Sequence, residues 1–172
     1  MTNENIKIED DFLLQEEFDK IQEIMIKNIS FPWFYVDRIV MGEPNKFQFF
    51  HMFYDNHQPH QFMHELAPIM NKINPFSVIR IKANLLTRTP EIVENRFHVD
   101  MEGMSEEKTK QWTTSIFYVN TNNGYTKFED GTKVESTANR MLTFPANMKH
   151  SGASCTDEKR RVIINFNYYT LL

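Results

Sequence analysis

Apolar positions along the chain change their period once, near residue 75. Upstream, residues 9–28 (EDDFLLQEEFDKIQEIMIKN) place Phe12, Leu13, Phe18, Ile21, Ile24 and Met25 at helical spacing. Acidic residues fill the first turn, where the helix dipole favours them. FPWFYVDRIV then reads as an aromatic connector entering a short extended segment, and FQFFHMFY (47–54) as a strand buried on both faces. DNHQPH is a turn, and QFMHELAPIMNKI (61–73) a second helix against which a sheet can pack. After NPFS the pattern becomes short and β-branched. SVIRIKANLL, RFHVD, TTSIFYVN, YTKF, KVES, RMLTF and RVIINFNYY read as strands, separated by turn clusters such as TNNG, EDG, FPAN and HSGAS.

Seven or eight strands behind two helices predict a mainly β sandwich or barrel braced on one side by helices. With 172 residues and no internal repeat, low-complexity tract or linker, a single domain is expected over 1–172. Its helical support would be 1–75 and its β core about 76–170.

Composition narrows the function class. The net charge of −4, without a Lys/Arg block, gives no basis for nucleic-acid or anionic-membrane binding. The single Cys155 excludes an internal disulfide and fits a reducing compartment. The start, MTNENIKIEDDF, lacks the basic and apolar regions of a signal peptide, and no run is long enough to span a bilayer. The expectation is a soluble, cytoplasmic protein.

The candidate chemistry begins at RFHVD. In an extended segment, positions i and i+2 project from one face, so His98 and Asp100 reach one point while Val99 turns away. An imidazole and a carboxylate there form two-thirds of a 2-His-1-carboxylate site, the ligand set suited to non-haem iron(II) with open positions. The only downstream histidine, His150 in NMKHSG, sits at a strand mouth and completes the set. Eleven residues later, Arg161 should share a strand face with Ile163, Asn165 and Asn167, leaving Arg160 towards solvent. A guanidinium inside a barrel is costly unless it meets a carboxylate, which Arg binds with two N–H groups. Three metal ligands and an inward Arg imply a chelating co-substrate with a distal carboxylate.

In that order and spacing, His98-x-Asp100, His150 and Arg161 resemble the 2-oxoglutarate/Fe(II)-dependent oxygenases, most closely the prolyl-4-hydroxylase-like branch with its small phage and marine bacterial members. SIFYVN, NNGYTKFEDG, NRMLTFPANMKHSG and RRVIINFNYY resemble the family's core strands over about 78–169. FPWFY is similar to its N-terminal region more loosely. Two family glycines are replaced, by Asn123 and Asn139, and Asn is the non-glycine residue best able to hold a positive φ.

The resemblance implies a double-stranded β-helix, or jelly roll, with N-terminal helices. It implies Fe(II) on His98, Asp100 and His150, with 2-oxoglutarate held by Arg161 and Tyr118. O2 would be the oxidant, and ascorbate a further cofactor. The reaction implied is hydroxylation of a prolyl, peptidyl or amino-acid substrate with release of succinate and CO2, in a bacterium or a phage-infected host. Asn84 and Asn167 are candidates for the pocket mouth, because their strands should end near the iron.

Other readings stay open on sequence. A cupin-like module would keep the metal or carboxylate ligand without turnover, and a third possibility takes a partner's disordered tail as substrate. Zinc or nickel suits the same ligands. The substrate is a small molecule or a peptide, and the oligomeric state is undetermined. His51, His57, His60 and His64 crowd one region, with His60 and His64 at i and i+4, yet a polar turn and helix start explain them more simply. The scattered methionines read as adaptable core filling. SEEKTKQ reads as a solvated loop, and 101–112 as a candidate lid over the substrate entrance.

Overall fold

The computed structural model describes residues 4–40, 46–100, 103 and 105–170. Strand β1 (Lys7–Glu9) precedes helix α1 (Gln15–Gln22), which runs on as one π-helical turn (Glu23–Lys27). Strands β2 (Phe34–Val36), β3 (Gln48–Asp55) and β4 (Gln58–Pro59) follow. A 3-10 turn (Met63–Leu66) then leads into α2 (Ala67–Ile73). The remainder is β5 (Ser77–Thr87), the short α3 (Glu106–Thr109), β6 (Thr113–Tyr118), β7 (Tyr125–Phe128), β8 (Lys133–Glu135), β9 (Arg140–Pro145), β10 (His150–Gly152) and β11 (Arg160–Tyr169).

Seven strands form a large antiparallel sheet in the order β1-β9-β6-β11-β5-β3-β2, with β4 paired to β3. A second sheet, β10-β7-β8, faces it, and the whole is a mainly β jelly roll with helices outside. No described helix is long and apolar enough to cross a membrane.

Period-two alternation builds the layers. Along β11, Val162, Ile164, Phe166 and Tyr168 join Phe12, Leu13, Phe18, Ile21 and Met25 in one core between the helices and the large sheet. Ile81, Ala83 and Leu85 of β5 and Phe117 of β6 belong to the same core. The opposite faces carry Ile116, Tyr118 and Ile163, which pack on Phe128, Val134 and Phe144. The polar alternates of β5 and β11 therefore turn into the space between the sheets, away from bulk water.

Several elements differ from the pattern reading. The first helix begins at Gln15, not residue 9, because Asp10 is held by Arg140 and the Phe12–Leu13 backbone is tied to Asn139. RFHVD is no continuous strand: it makes one isolated bridge, His98 with His150, and Glu94 just before it makes another with Ala153. HSGAS contains β10, because His150, Ser151 and Gly152 find a ladder on Phe128, Lys127 and Thr126. The β3–β4 turn has positive φ at Asn56 (47°) and His57 (61°), the two-residue hairpin geometry whose twist suits paired strands. In β3, His51 and Phe53 are buried on the face towards the helices, whereas on the other face only Gln48, which lines the cavity, is buried and Phe50 and Met52 are half-buried.

Asn139 holds φ 61°, as the glycine replacement implied, whereas Asn123 is not among the residues with positive φ. The buried Asn139 side chain also accepts from the Leu13 N–H and donates to the Leu13 carbonyl, each at 2.9 Å. Asn139→Ala should therefore cost about 2 to 3 kcal/mol in urea unfolding, through two lost buried bonds and an unfavourable left-handed backbone. Asn139→Gly, which keeps the backbone and loses the bonds, should cost less. Equal midpoints for the two variants would refute the backbone part of this account.

Candidate metal centre and anion pocket

His98, Asp100 and His150 bring their ligand atoms within 4.8 Å of one another, the one such His/Cys/Asp/Glu group among the described residues. The bridge between His98 and His150, with backbone N–H to carbonyl bonds of 3.0 Å in both directions, brings the two imidazoles side by side. Each ring is fixed by its own loop: Nδ1 of His98 faces the Arg96 carbonyl at 3.0 Å, and Nδ1 of His150 the Met148 carbonyl at 3.2 Å. A proton on each Nδ1 satisfies those carbonyls and leaves each Nε2 lone pair free. Both Nε2 atoms lie 4.0 Å from Asp100 Oδ1, so three donors face one point.

Asp100 is held from behind. Asn167 Nδ2 donates to its Oδ2 at 3.1 Å and to Thr114 Oγ1 at 3.1 Å, and Arg80 Nη2 lies 3.5 Å from Oδ1. Burial pushes the Asp100 carboxyl upward, but the charges of His150 and Arg80 and the Asn167 donor outweigh it and hold the group below its ordinary value. Burial pushes His150 down, towards the neutral imidazole. Both are the ligand forms a metal needs.

The triad opens into a cavity of about 340 Å³. Arg161 lines it and is only 2% exposed, which decides between the two adjacent arginines. Arg160 is not free in solvent; its Nη2 donates to the Ile26 carbonyl at 2.8 Å. Arg161 donates from Nε to Ser136 Oγ (2.8 Å) and from Nη2 to Thr126 Oγ1 (3.1 Å). No described carboxylate lies within ion-pair distance of it, and burial lowers its pKa from the usual arginine value. Gly124 makes room for this side chain: a Cβ there would sit 2.7 Å from Arg161 Cδ and 2.8 Å from the Ser154 carbonyl.

Tyr118 lies behind the pocket wall rather than in it. Its ring is 5.7 Å from the guanidinium, and its hydroxyl donates to Thr126 Oγ1 at 2.8 Å. Thr126 accepts from both Tyr118 and Arg161, so its own O–H is left to point at a ligand. Asn84 lines the cavity, as does Asn165. Asn167 does not sit at a mouth: it is fully buried against Asp100, because its strand position pairs with Thr114 and Arg80 in the interior. Burial and the neighbouring Arg80 charge lower the Lys82 pKa to about 8.

Sequence reasoning passed over Thr126, Ser136, Arg80 and Lys82. The last two were available from the alternation of SVIRIKANLL, whereas the first two depend on the fold of the second sheet. The other histidines converge on nothing. His51 packs between two backbone carbonyls (Pro32 and Gln61, each 3.0 Å), His60 pairs with Asp55 and His64 with Glu65. Of the candidate lid, residues 101, 102 and 104 lie outside the described residues. Its remainder carries α3, whose first turn is capped by Ser105.

No protein-family model and no curated protein sequence matches the chain. Solved structures do. The viral collagen prolyl hydroxylase from Paramecium bursaria Chlorella virus-1, solved with 2-oxoglutarate, aligns with a TM-score of 0.62 at 14% identity, covering 98% of each chain. The chain has the fold of the 2-oxoglutarate oxygenases. A prolyl hydroxylase from Trichoplax adhaerens, in complex with a hypoxia-inducible-factor peptide, aligns at 0.60 and 13% identity, over 96% of this chain and 83% of that one. The non-haem epimerase SnoN of nogalamycin biosynthesis gives 0.67 at 13% identity, over 95% and 77%. The oxygenase fold is thus matched along nearly the whole chain, by prolyl hydroxylases and by enzymes of small-molecule synthesis alike.

A cobalt(II) titration checks the centre. Binding should be lost in Asp100→Ala and His150→Ala, and Asn167→Ala should weaken it by about 10- to 100-fold, the usual effect of removing a partner that orients a ligand. Affinity should fall on acidification, and because burial favours neutral His150 its loss through that ligand should come below the ordinary histidine range. An Asn167→Ala variant with unchanged affinity would show that Asp100 needs no such support.

Proposed function

We propose that the protein is an Fe(II)- and 2-oxoglutarate-dependent oxygenase that hydroxylates a prolyl, peptidyl or amino-acid substrate. The observation that carries this reading is a single cavity holding both a three-donor metal set and a buried arginine without a carboxylate partner. The donor set fits iron(II) by type, with two neutral imidazoles and one carboxylate. The fold of the neighbouring structures supports the same class.

Each residue then has a role. His98, Asp100 and His150 hold the metal through Nε2, Oδ1 and Nε2, while Asn167 keeps the carboxylate aimed and ionised. Arg161 takes the C5 carboxylate of 2-oxoglutarate, whose charge offsets the cost of burying the guanidinium. The Thr126 hydroxyl donates to the same carboxylate, and Tyr118 orients Thr126 from behind. Bound iron and 2-oxoglutarate supply the oxidising chemistry: substrate C–H, O2 and 2-oxoglutarate become substrate C–OH, succinate and CO2. The protein binds and orients both reactants, and its enclosing sheets keep water from the reacting groups.

The test is succinate formation under air by protein reconstituted anaerobically with Fe(II), supplied with 2-oxoglutarate and ascorbate. His150→Ala should abolish it. Arg161→Ala should lower it about 30-fold at limiting 2-oxoglutarate, the equivalent of roughly 2 kcal/mol for a lost charge-assisted hydrogen bond, with recovery at high co-substrate. No succinate, together with no calorimetric binding of 2-oxoglutarate to the metal-loaded protein, would overturn the reading in favour of a non-catalytic metal- or carboxylate-binding module.

A further inference from the structure

The cavity has a second set of unsatisfied polar groups, apart from Arg161. Along β5, the alternate residues Arg80, Lys82 and Asn84 all turn into it. Arg80 spends Nη2 on the Asp100 backbone carbonyl (3.1 Å) and on Asn167 Oδ1 (3.2 Å), and its Nε is buried without a partner. Lys82 has no described carboxylate within ion-pair distance and lies 5.2 Å from the Phe50 ring. Two buried acceptors are orphaned as well, the side-chain oxygens of Asn84 and Asn165. Buried donors and acceptors are costly when unpaired, so a pocket lined with both is complementary to a ligand carrying an anion and an N–H group together.

2-Oxoglutarate does not meet that description. In the β5–β11 ladder Arg161 stands opposite Leu86 and Arg80 opposite Asn167, six residues apart, or roughly 20 Å along the strands. The C5 carboxylate at Arg161 cannot reach the other end, the C1 carboxylate is taken up by the metal, and 2-oxoglutarate has no N–H to give the asparagine oxygens.

We propose that the substrate is an amino acid bound through its own carboxylate, which pairs with Arg80 Nε and Lys82 Nζ while its amino group donates to the Asn84 and Asn165 oxygens. The inference rests on the oxygenase reading and selects, within it, the free amino acid over a residue inside a peptide. An internal residue has neither the free carboxylate nor the free amine.

The experiment uses protein loaded with Zn(II) and saturating 2-oxoglutarate. Saturation-transfer NMR reads its binding to a pool of the standard amino acids, and to a second pool of the same amino acids as N-acetyl amides. At least one free amino acid should bind while its blocked amide does not, and Lys82→Gln should weaken that binding tenfold or more. Lys82→Gln is checked for folding by its melting curve, and Lys82→Arg, which keeps the charge, should restore binding. Equal binding of the blocked amides would overturn the proposal, as would no binding from any free amino acid. So would a Lys82→Gln effect that appears in 2-oxoglutarate affinity instead. Calorimetric binding of 2-oxoglutarate to the Zn(II)-loaded wild type is measured alongside. Its absence overturns the oxygenase reading, while the comparison of free and blocked amino acids still decides this one.

Discussion

A buried guanidinium with no carboxylate partner among the described residues is the constraint around which this molecule is arranged. Arg161 is enclosed by neutral groups only, the Ser136 and Thr126 hydroxyls and the Tyr118 ring. Hydroxyl oxygens satisfy its N–H groups but do not neutralise its charge, so much of the desolvation cost stays with the folded protein. The small sheet supplies most of this enclosure. β7 carries Thr126, Ser136 follows β8, and Gly124 is the residue that lets the side chain pass between Asn122 and the Ser154 carbonyl. The same sheet supplies β10 and with it His150, so the cation and one donor of the triad are set by one ladder.

The second organising feature is that the large sheet is two-sided without having a solvent side at its centre. β11 is buried along nearly its whole length, apolar towards the helices and polar towards the cavity. Polar residues in such a strand cannot rely on water and must find each other. The chain Thr114–Asn167–Asp100–Arg80 is the result, and it makes the orientation of Asp100 a property of three strands and a loop at once. A ligand carboxylate held in this way loses little freedom when a metal arrives, which is how preorganisation raises affinity.

The sequence revealed the parts of this arrangement that depend on period and spacing. Alternation in RRVIINFNYY puts Arg161 on the face of Asn165 and Asn167 and Arg160 on the other, because a one-residue shift in a strand changes the face, while the burial of Arg161 shows which face is inward. The His98-x-Asp100 spacing identifies two of the three converging donors although the segment is not a regular strand, since an extended backbone alone places i and i+2 on one side. Asn139 declared its left-handed backbone through its residue type. What stayed hidden depends on which strands become neighbours. Asn167 reads as a mouth residue until β6 and β5 are known to flank it with Thr114 and Arg80. HSG reads as a turn until β7 offers it a ladder. Tyr118 reads as a direct contact until Thr126 is found between its hydroxyl and the cavity.

Charge balance links the two halves of the site. The chain is acidic overall, yet among the described residues its cavity gathers Arg161, Arg80 and Lys82 against one carboxylate, Asp100. A divalent metal on the triad would make that excess larger, and the low polarisability of the enclosing sheets would make it expensive. The dianion 2-oxoglutarate, held as proposed at the metal and at Arg161, would offset only part of it and leave Lys82 with no described carboxylate partner, Arg80 standing 3.5 Å from Asp100. A substrate without an anionic group would leave Lys82 so throughout turnover. The proposed substrate would set its carboxylate against Lys82 and Arg80 and its ammonium against the orphaned Asn84 and Asn165 oxygens, matching the site locally rather than by net charge. Electrostatics that could have been satisfied by one more acidic residue are instead left for ligands to satisfy, and that surplus is what the fold offers as selectivity.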